Sequence, residues 1–305
     1  NHGTSRIPCG LKIRRKTVNQ TLSRPAALPC TLADVPTSPE NTPRLEEAVL
    51  ERPGCRLVYR KREATSGRWV VFLHGAGMDG HMFDTQISSI PIDIGIAVWD
   101  ARGHGRSRLT RAFRYRDMLD DLHALVQHIA PKRLTLVGQS MGGNLAQSYV
   151  ELHPGAVHRL MLIDCTDNHG SLTRMERWAL RMARPLLSAY PWKLTVRQSA
   201  RACGVDPATI AYASRCLERM GKSTFVEVMG FWVVCLRPDP SYRFPCRTVA
   251  LLGQQDKTGN VAKALARLAD KDPLVELTTI PDASHNSNMD QPVITNAVLG
   301  RLLAS

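Results

Sequence analysis

Long apolar runs are missing from this 305-residue sequence. Crossing a bilayer takes ~18–20 consecutive apolar residues. The longest runs here, such as Trp69 to Leu73 and Leu160 to Ile163, have only strand length. The chain therefore reads as soluble and cytoplasmic, with no transmembrane segment. Paired cysteines are missing too. Cys9, Cys30, Cys55, Cys165, Cys203, Cys216, Cys235 and Cys246 include no CxxC, so the spacing of a zinc site is absent. They read as free thiols in a reducing compartment, with Cys203 and Cys216 the pair left open for a disulfide. Acids are in short supply, and the net charge is +13. Residues 1–33 hold six Lys or Arg and no acid, and residues 166–245 hold twelve basic and six acidic residues. Aromatics make up only 6% and are not interleaved with the basic runs. No nucleic-acid module is visible, and charge alone speaks to association rather than to fold. Nucleic acid is accordingly not expected as a partner, whereas an anionic substrate or membrane surface stays open.

What is present is the material of a globular core: 43% hydrophobic and 22% charged residues. Residues 1–44 lack a hydrophobic period and are rich in Pro, Thr, Ser and Arg. They read as a flexible basic tail, akin to an organelle transit peptide or an appended vector-derived segment. From Arg44 the pattern alternates. Strands are expected at Ala48 to Glu51, Cys55 to Lys61, Trp69 to Leu73, Gly95 to Trp99, Leu134 to Val137, Leu160 to Ile163, Val249 to Leu252 and Val275 to Ile280. The later ones are continuously apolar and β-branched, as strands covered on both faces should be. Helical spacing relates Leu119, Leu122, Val126 and Ile129, and Pro131 ends that run. Further helices are expected over Met141 to Leu152, Val261 to Ala269 and Val293 to Leu303, with Pro292 suited to a first turn. Strands alternating with helices predict an α/β fold: a mostly parallel eight-stranded sheet covered by helices.

One interval breaks the alternation. Residues 166–245 show no buried strand and read as helices over Leu172 to Leu187, Trp192 to Cys203, Pro207 to Met220 and Ser223 to Leu236. Such a length is too great for a connecting loop. It reads as a helical cap or lid after the sixth strand, inserted into a core made of residues 45–165 and 246–305.

The chemistry centres on Gly138-Gln139-Ser140-Met141-Gly142, a G-x-S-x-G pattern with a strand before it and a helix after it. A serine on so sharp a turn sits on strained backbone, and side chains two positions either side would collide with the crossing chain. The helix N-terminus behind Ser140 points free N–H groups at the reacting oxygen. A serine hydroxyl needs a base and an oxyanion hole to react. His285 follows the last strand, at the same carboxyl edge of the sheet as Ser140, where open α/β sheets bind ligands. His74 and His104 read as structural, and His123, His128, His153 and His158 as surface residues of helices or helix ends. Two carboxylates are candidates for orienting the base. Asp256 follows the strand Val249 to Leu252, and Asp164 follows Leu160 to Ile163. Asp256 is favoured, because its strand lies nearer the one that delivers His285. His74-Gly75-Ala76-Gly77 follows another strand, and the N–H groups of Ala76 and Met141 are the expected oxyanion donors. The second glycine cluster, Asp100 to Ser107, lacks the spacing of a dinucleotide loop and reads as a structural turn.

These motifs together resemble the α/β-hydrolase superfamily, in the branch of esterases, monoacylglycerol-type lipases, cofactor-free haloperoxidases and carbon–carbon bond hydrolases. The resemblance rests on His74-Gly75-Ala76-Gly77 with Phe83, on Asp100 to Ser107, on Gly138 to Gly143, on Asp256, and on Ala283-Ser284-His285 with Pro292 beyond. It covers about residues 46–304. It implies that Ser140, Asp256 and His285 form a triad and that the cap sets substrate choice. Gln139 stands where a histidine is commoner, and Asp256 lacks the usual following proline. A serine at position 140 argues against the branches that use an aspartate nucleophile.

The expected reaction is hydrolysis of a small or medium hydrophobic ester or thioester through an acyl-enzyme, with no cofactor or metal. Met175, Met182, Leu186, Leu187, Met220, Met229, Phe231 and Trp232 are candidates for an acyl pocket, with packing inside the cap as the other reading. Arg174, Arg177, Arg181 and Arg184 fall on one helical face. They read as a solvated stripe or an attractor for an anionic substrate. A carbon–carbon hydrolase or lyase, and a non-catalytic receptor on the same fold, are the rival expectations. The oligomeric state is open, with a homodimer among the arrangements allowed.

Overall fold

The structure, a computed structural model, describes residues 45–305. The tail expected over residues 1–44 lies outside the described residues. Eight strands form one sheet: β1 (Glu46–Arg52), β2 (Cys55–Arg62), β3 (Arg68–Leu73), β4 (Gly95–Trp99), β5 (Arg133–Gln139), β6 (Arg159–Ile163), β7 (Arg247–Gly253) and β8 (Val275–Ile280). Their order is β1-β2-β4-β3-β5-β6-β7-β8. β1 pairs with β2, and β2 with β4, in antiparallel register. From β4 to β8 every pairing is parallel. The eight segments expected as strands each lie within one of these.

Parallel strands need crossover helices, and these bury the sheet from both sides. Every residue of β4 and of β6 is buried. On one face α2 (Tyr115–Ile129), α3 (Met141–Leu152) and α9 (Val261–Lys271) set Leu122, Leu145 and Leu265 against Val71, Leu136 and Leu160. On the other, α1 (Asp84–Ser88) and α11 (Pro292–Ala304) set Ile87, Val298 and Leu299 against Val70, Phe72 and Val137. The neighbours Val70 and Val71 face opposite layers because strand side chains alternate. Each such fully buried aliphatic side chain contributes about 1.5–3 kcal/mol.

Between β6 and β7 lie α4 (Arg174–Ala189), α5 (Trp192–Cys203), α6 (Pro207–Met220), α7 (Lys222–Val228) and α8 (Trp232–Cys235). Local sequence starts them. Thr173 and Glu176 form a reciprocal capping box on α4. Asp206 caps α6, and Pro207 occupies its first turn. The single helix expected over Ser223 to Leu236 is instead broken. α7 stops at Val228, a 3-10 turn spans Met229–Phe231, and α8 follows. Gly230 sits in that turn, and the turn delivers Phe231 into the core against the Tyr115 ring, 6.1 Å away. A poor helix former beside a strong burial site explains the break. Two short helices were not expected, α1 and α10 (Ser287–Asp290). The six cysteines of the described residues are all free, Cys203 and Cys216 included. Among the described residues no helix is long and apolar enough to cross a membrane.

Candidate active site

Ser140 sits between β5 and α3 with φ 48° and ψ −115°, a backbone conformation that a residue with a side chain rarely adopts. Contacts on every side enforce it. A Cβ on Gly138 would lie 2.4 Å from the Gly142 carbonyl oxygen. One on Gly142 would lie 2.0 Å from that of Leu73. The chain can cross there only because both residues lack side chains. The Ser140 amide donates to the Ile163 carbonyl at 2.9 Å, which fixes the turn to β6.

His285 arrives from the loop after β8. That loop is stitched to the loop after β7: the Gln254 amide donates to Ile280 O at 2.9 Å, and the Gln255 amide to Ala283 O at 2.8 Å. Gly253 permits the contact, since a Cβ there would lie 2.1 Å from Ser284 O. The result is a three-residue relay. His285 Nδ1 is 2.9 Å from Asp256 Oδ2, and His285 Nε2 is 2.9 Å from Ser140 Oγ. A carboxylate only accepts, so Nδ1 carries the proton and Nε2 is left to accept from the serine hydroxyl. The other Asp256 oxygen accepts from the Thr258 amide at 2.8 Å. Burial alone would lower the His285 pKa. The hydrogen bond and charge of Asp256, with a further contribution from Asp164, outweigh it and raise the pKa above the ordinary value. For Asp256 burial pushes upward, yet the contacts with His285 leave its pKa below the ordinary value.

Asp164, the other candidate acid, has its carboxylate elsewhere. Oδ1 accepts from the Gly253 amide at 2.7 Å and Oδ2 from the Ser287 amide at 2.9 Å. It therefore ties β6 to the loops that carry Asp256 and His285. Complete burial pushes its pKa up to about 7. Gln139 makes a similar tie. Its side-chain Nε2 donates to the backbone oxygen of His285 at 2.6 Å, and its Oε1 is buried with no partner among the described residues. Sequence reasoning noted Gln139 only as an uncommon residue before the serine.

Gly75 brings the loop after β3 alongside the elbow: a Cβ there would lie 3.3 Å from Ser140 Cβ. The amides of Ala76 and Met141 donate to no acceptor among the described residues. His74 and His104 are buried and structural. The Ala101 amide donates to His74 Nε2 at 2.9 Å, and the two rings meet edge to face at 4.9 Å. Burial pulls the His104 pKa down to about 3, so that ring stays neutral. Asp100 to Ser107 is a structural turn. Asp100 accepts from the Gly80 and Arg106 amides, and the buried Arg102 binds Asp121 through two nitrogens at 2.7 and 2.8 Å.

The helices between β6 and β7 reach the loop that carries Ala76. Ser140 is 7% exposed and His285 9%. The contact runs through Leu217 of α6 and Phe225 of α7, which lie 2.5 and 3.5 Å from where a Gly77 Cβ would be. The expected acyl-pocket set is split. Met175 and Leu186 are 78% and 60% exposed, and α4 has no buried residue. Phe231 is in the main core with Trp232 packed beside it, while Leu187, Met220 and Met229 are partly buried against the cluster that holds Leu217 and Phe225. Arg174, Arg177, Arg181 and Arg184 are all exposed on α4. Periodicity marks an apolar helical face but does not say what covers it.

A profile of the Alpha/beta hydrolase family matches residues 70–298. The chain belongs to that family. It is similar to the AB hydrolase superfamily protein YisY of Bacillus subtilis, 36% identical over 103 residues, covering 32% of this chain and 37% of that protein. It is also similar to esterase Rv0045c of Mycobacterium tuberculosis, 31% identical over 134 residues, covering 42% of this chain and 44% of that protein. The chain thus spans less than half the length of these curated relatives. Among solved structures, a thermophilic esterase from Thermogutta terrifontis superposes with a TM-score of 0.70 at 21% identity, covering 86% of this chain and 98% of that one. At that identity the likeness concerns the fold.

Proposed function

We propose that this member of the α/β-hydrolase family is a serine hydrolase that cleaves a carboxylic ester or thioester through an acyl-enzyme on Ser140. The observation that carries the reading is the His285 ring, held 2.9 Å from both Ser140 Oγ and Asp256 Oδ2 at the carboxyl edge of the sheet. His285 accepts the Ser140 proton as Oγ attacks the carbonyl carbon, and the oxyanion receives the free amides of Ala76 and Met141. The imidazolium, stabilised by Asp256, returns its proton to the leaving alcohol or thiol. Water then enters, gives a proton to His285 and attacks the acyl carbon. The tetrahedral adduct collapses to release the acid and restore the Ser140 hydroxyl. The helices between β6 and β7 act as the cap that excludes bulk water. The names of two similar proteins, an esterase of M. tuberculosis and an esterase of T. terrifontis, support the choice of ester over other acyl bonds.

The test is steady-state and pre-steady-state kinetics on p-nitrophenyl esters of increasing acyl length. The proposal expects turnover that Ser140→Ala and His285→Ala each abolish, with a stoichiometric burst where deacylation is slow. Ester turnover that survives Ser140→Ala, or none on any chain length, overturns it.

A further inference from the structure

Asp79 stands three residues beyond Ala76, in the loop that carries the proposed oxyanion donor. Asp79 is buried, and donors from two directions converge on its carboxylate. Within its own loop, Oδ1 accepts from the His81 amide at 3.0 Å. The remaining donors come from α6. The Tyr212 hydroxyl is 2.8 Å from Oδ1 and 3.0 Å from the Asp79 carbonyl oxygen, and it accepts from the Asp79 amide at 3.2 Å. Arg219 Nη1 donates to Oδ2 at 3.2 Å, and Cys216 Sγ lies 3.5 Å from the same oxygen. Burial pushes the Cys216 thiol up to about 12, so it remains a donor. Tyr212, Cys216 and Arg219 stand at spacings of four and three, one face of one helix. Leu217 of the same helix covers Gly77, directly after Ala76.

The other end of this helical unit is fastened to the His285 loop. The Asn286 amide donates to Cys203 O at 2.6 Å, at the end of α5. The Asp290 carboxylate accepts from the Val205 and Asp206 amides, which lead into α6, and from the Ser284 amide beside His285. The α5–α6 pair therefore spans the loops that carry Ala76 and His285 and is hydrogen-bonded to both. It cannot lift without pulling on the donor of the oxyanion hole and on the base.

We propose that Asp79 is a positioning residue, through which Tyr212, Cys216 and Arg219 of α6 fix the oxyanion loop so that the Ala76 amide is aimed only while the cap is docked. This rests on the serine-hydrolase reading above and deepens it. A preorganised oxyanion donor acts on the transition state and little on bound substrate. Loosening the clasp therefore lowers kcat and leaves KM nearly unchanged.

The experiment compares the full chain with its Asp79→Asn, Tyr212→Phe and Arg215→Ala variants on p-nitrophenyl butyrate. Active sites are counted with a fluorophosphonate, and kcat is expressed per titrated site. Inhibition by an aryl boronic acid, whose tetrahedral adduct on serine places an oxygen in the oxyanion hole, is measured alongside. Arg215 is exposed on the same helix but makes no hydrogen bond or ion pair among the described residues, and serves as the control. Tyr212→Phe is expected to lower kcat about 10-fold and Asp79→Asn about 100-fold, with KM within about 3-fold. Boronate inhibition weakens by the same factors, and Arg215→Ala matches the parent. If Asp79→Asn does not accumulate folded, Tyr212→Phe, one hydroxyl smaller, carries the test. Variants with parental kcat and boronate affinity overturn the inference, as do losses confined to KM or to the number of titrated sites. A parent chain that no fluorophosphonate titrates overturns the serine-hydrolase reading instead.

Discussion

The side-chain amide of Gln139 donates to the carbonyl oxygen of His285 across 2.6 Å, so the residue before the nucleophile holds the backbone of the base. The two are 146 positions apart in sequence, and both are buried. Truncation leaves a buried carbonyl without its donor, a loss of about 1–3 kcal/mol. It also lets the His285 ring drift from Ser140. Gln139→Ala is therefore expected to lower kcat/KM on aryl esters about 10- to 100-fold. Urea unfolding should show a matching decrease in stability, and parental kinetics from a folded Gln139→Ala protein would remove the tether from the account.

The pH dependence follows from His285. The base must be neutral to accept the serine proton, and Asp256 raises its pKa above the ordinary value despite burial. Activity therefore vanishes as pH falls through that raised pKa. The acid limb of kcat/KM should lie above about 6.5, the ordinary histidine value. Asp256→Asn removes the charge and the acceptor that fixes the tautomer. It should move the limb to lower pH and reduce kcat by about 10⁴-fold. A pH–rate profile of both proteins checks the shift and its direction.

Asp164 gives a stability signature separate from catalysis. Its folded pKa is pushed up to about 7 by burial, against about 3.9 for an unfolded aspartate. The folded state thus holds this proton more tightly. The stabilisation is complete below the unfolded pKa and is lost as pH rises through the folded one. Between pH 5 and pH 8 this group should remove about 2–3 kcal/mol. Asp164→Asn should flatten that part of the profile in urea titrations at the two pH values. An unchanged slope would place the carboxylate in a less costly environment than its burial indicates.

The framework was legible in the sequence because it obeys simple periods. Leu160 to Ile163 of β6, all buried, read as an unbroken apolar run. The elbow was legible because Gly138 and Gly142 are forced by backbone carbonyls at 2.4 and 2.0 Å, a constraint written in residue type. The short helices α1 and α10 were not. They carry too few residues for a period and are held by tertiary bonds, such as Gln86 Nε2 to the Asn288 carbonyl at 3.0 Å. The clasp on Asp79 was hidden for a related reason. An aspartate before a glycine reads as a turn residue, and its partners Tyr212 and Arg219 lie more than 130 positions away. In sequence, Asp164 and Asp256 are told apart by strand order and by the family resemblance. Coordinates separate them by what each carboxylate accepts: two backbone amides in one case, the His285 ring in the other.

The most direct test of the central claim is covalent. Treat the full chain with a fluorophosphonate, digest it, and locate the adduct by mass spectrometry. The account predicts one adduct per chain on Ser140, absent from Ser140→Ala and strongly slowed in His285→Ala. A folded protein that takes no label, or that takes the same label after Ser140→Ala, would contradict it.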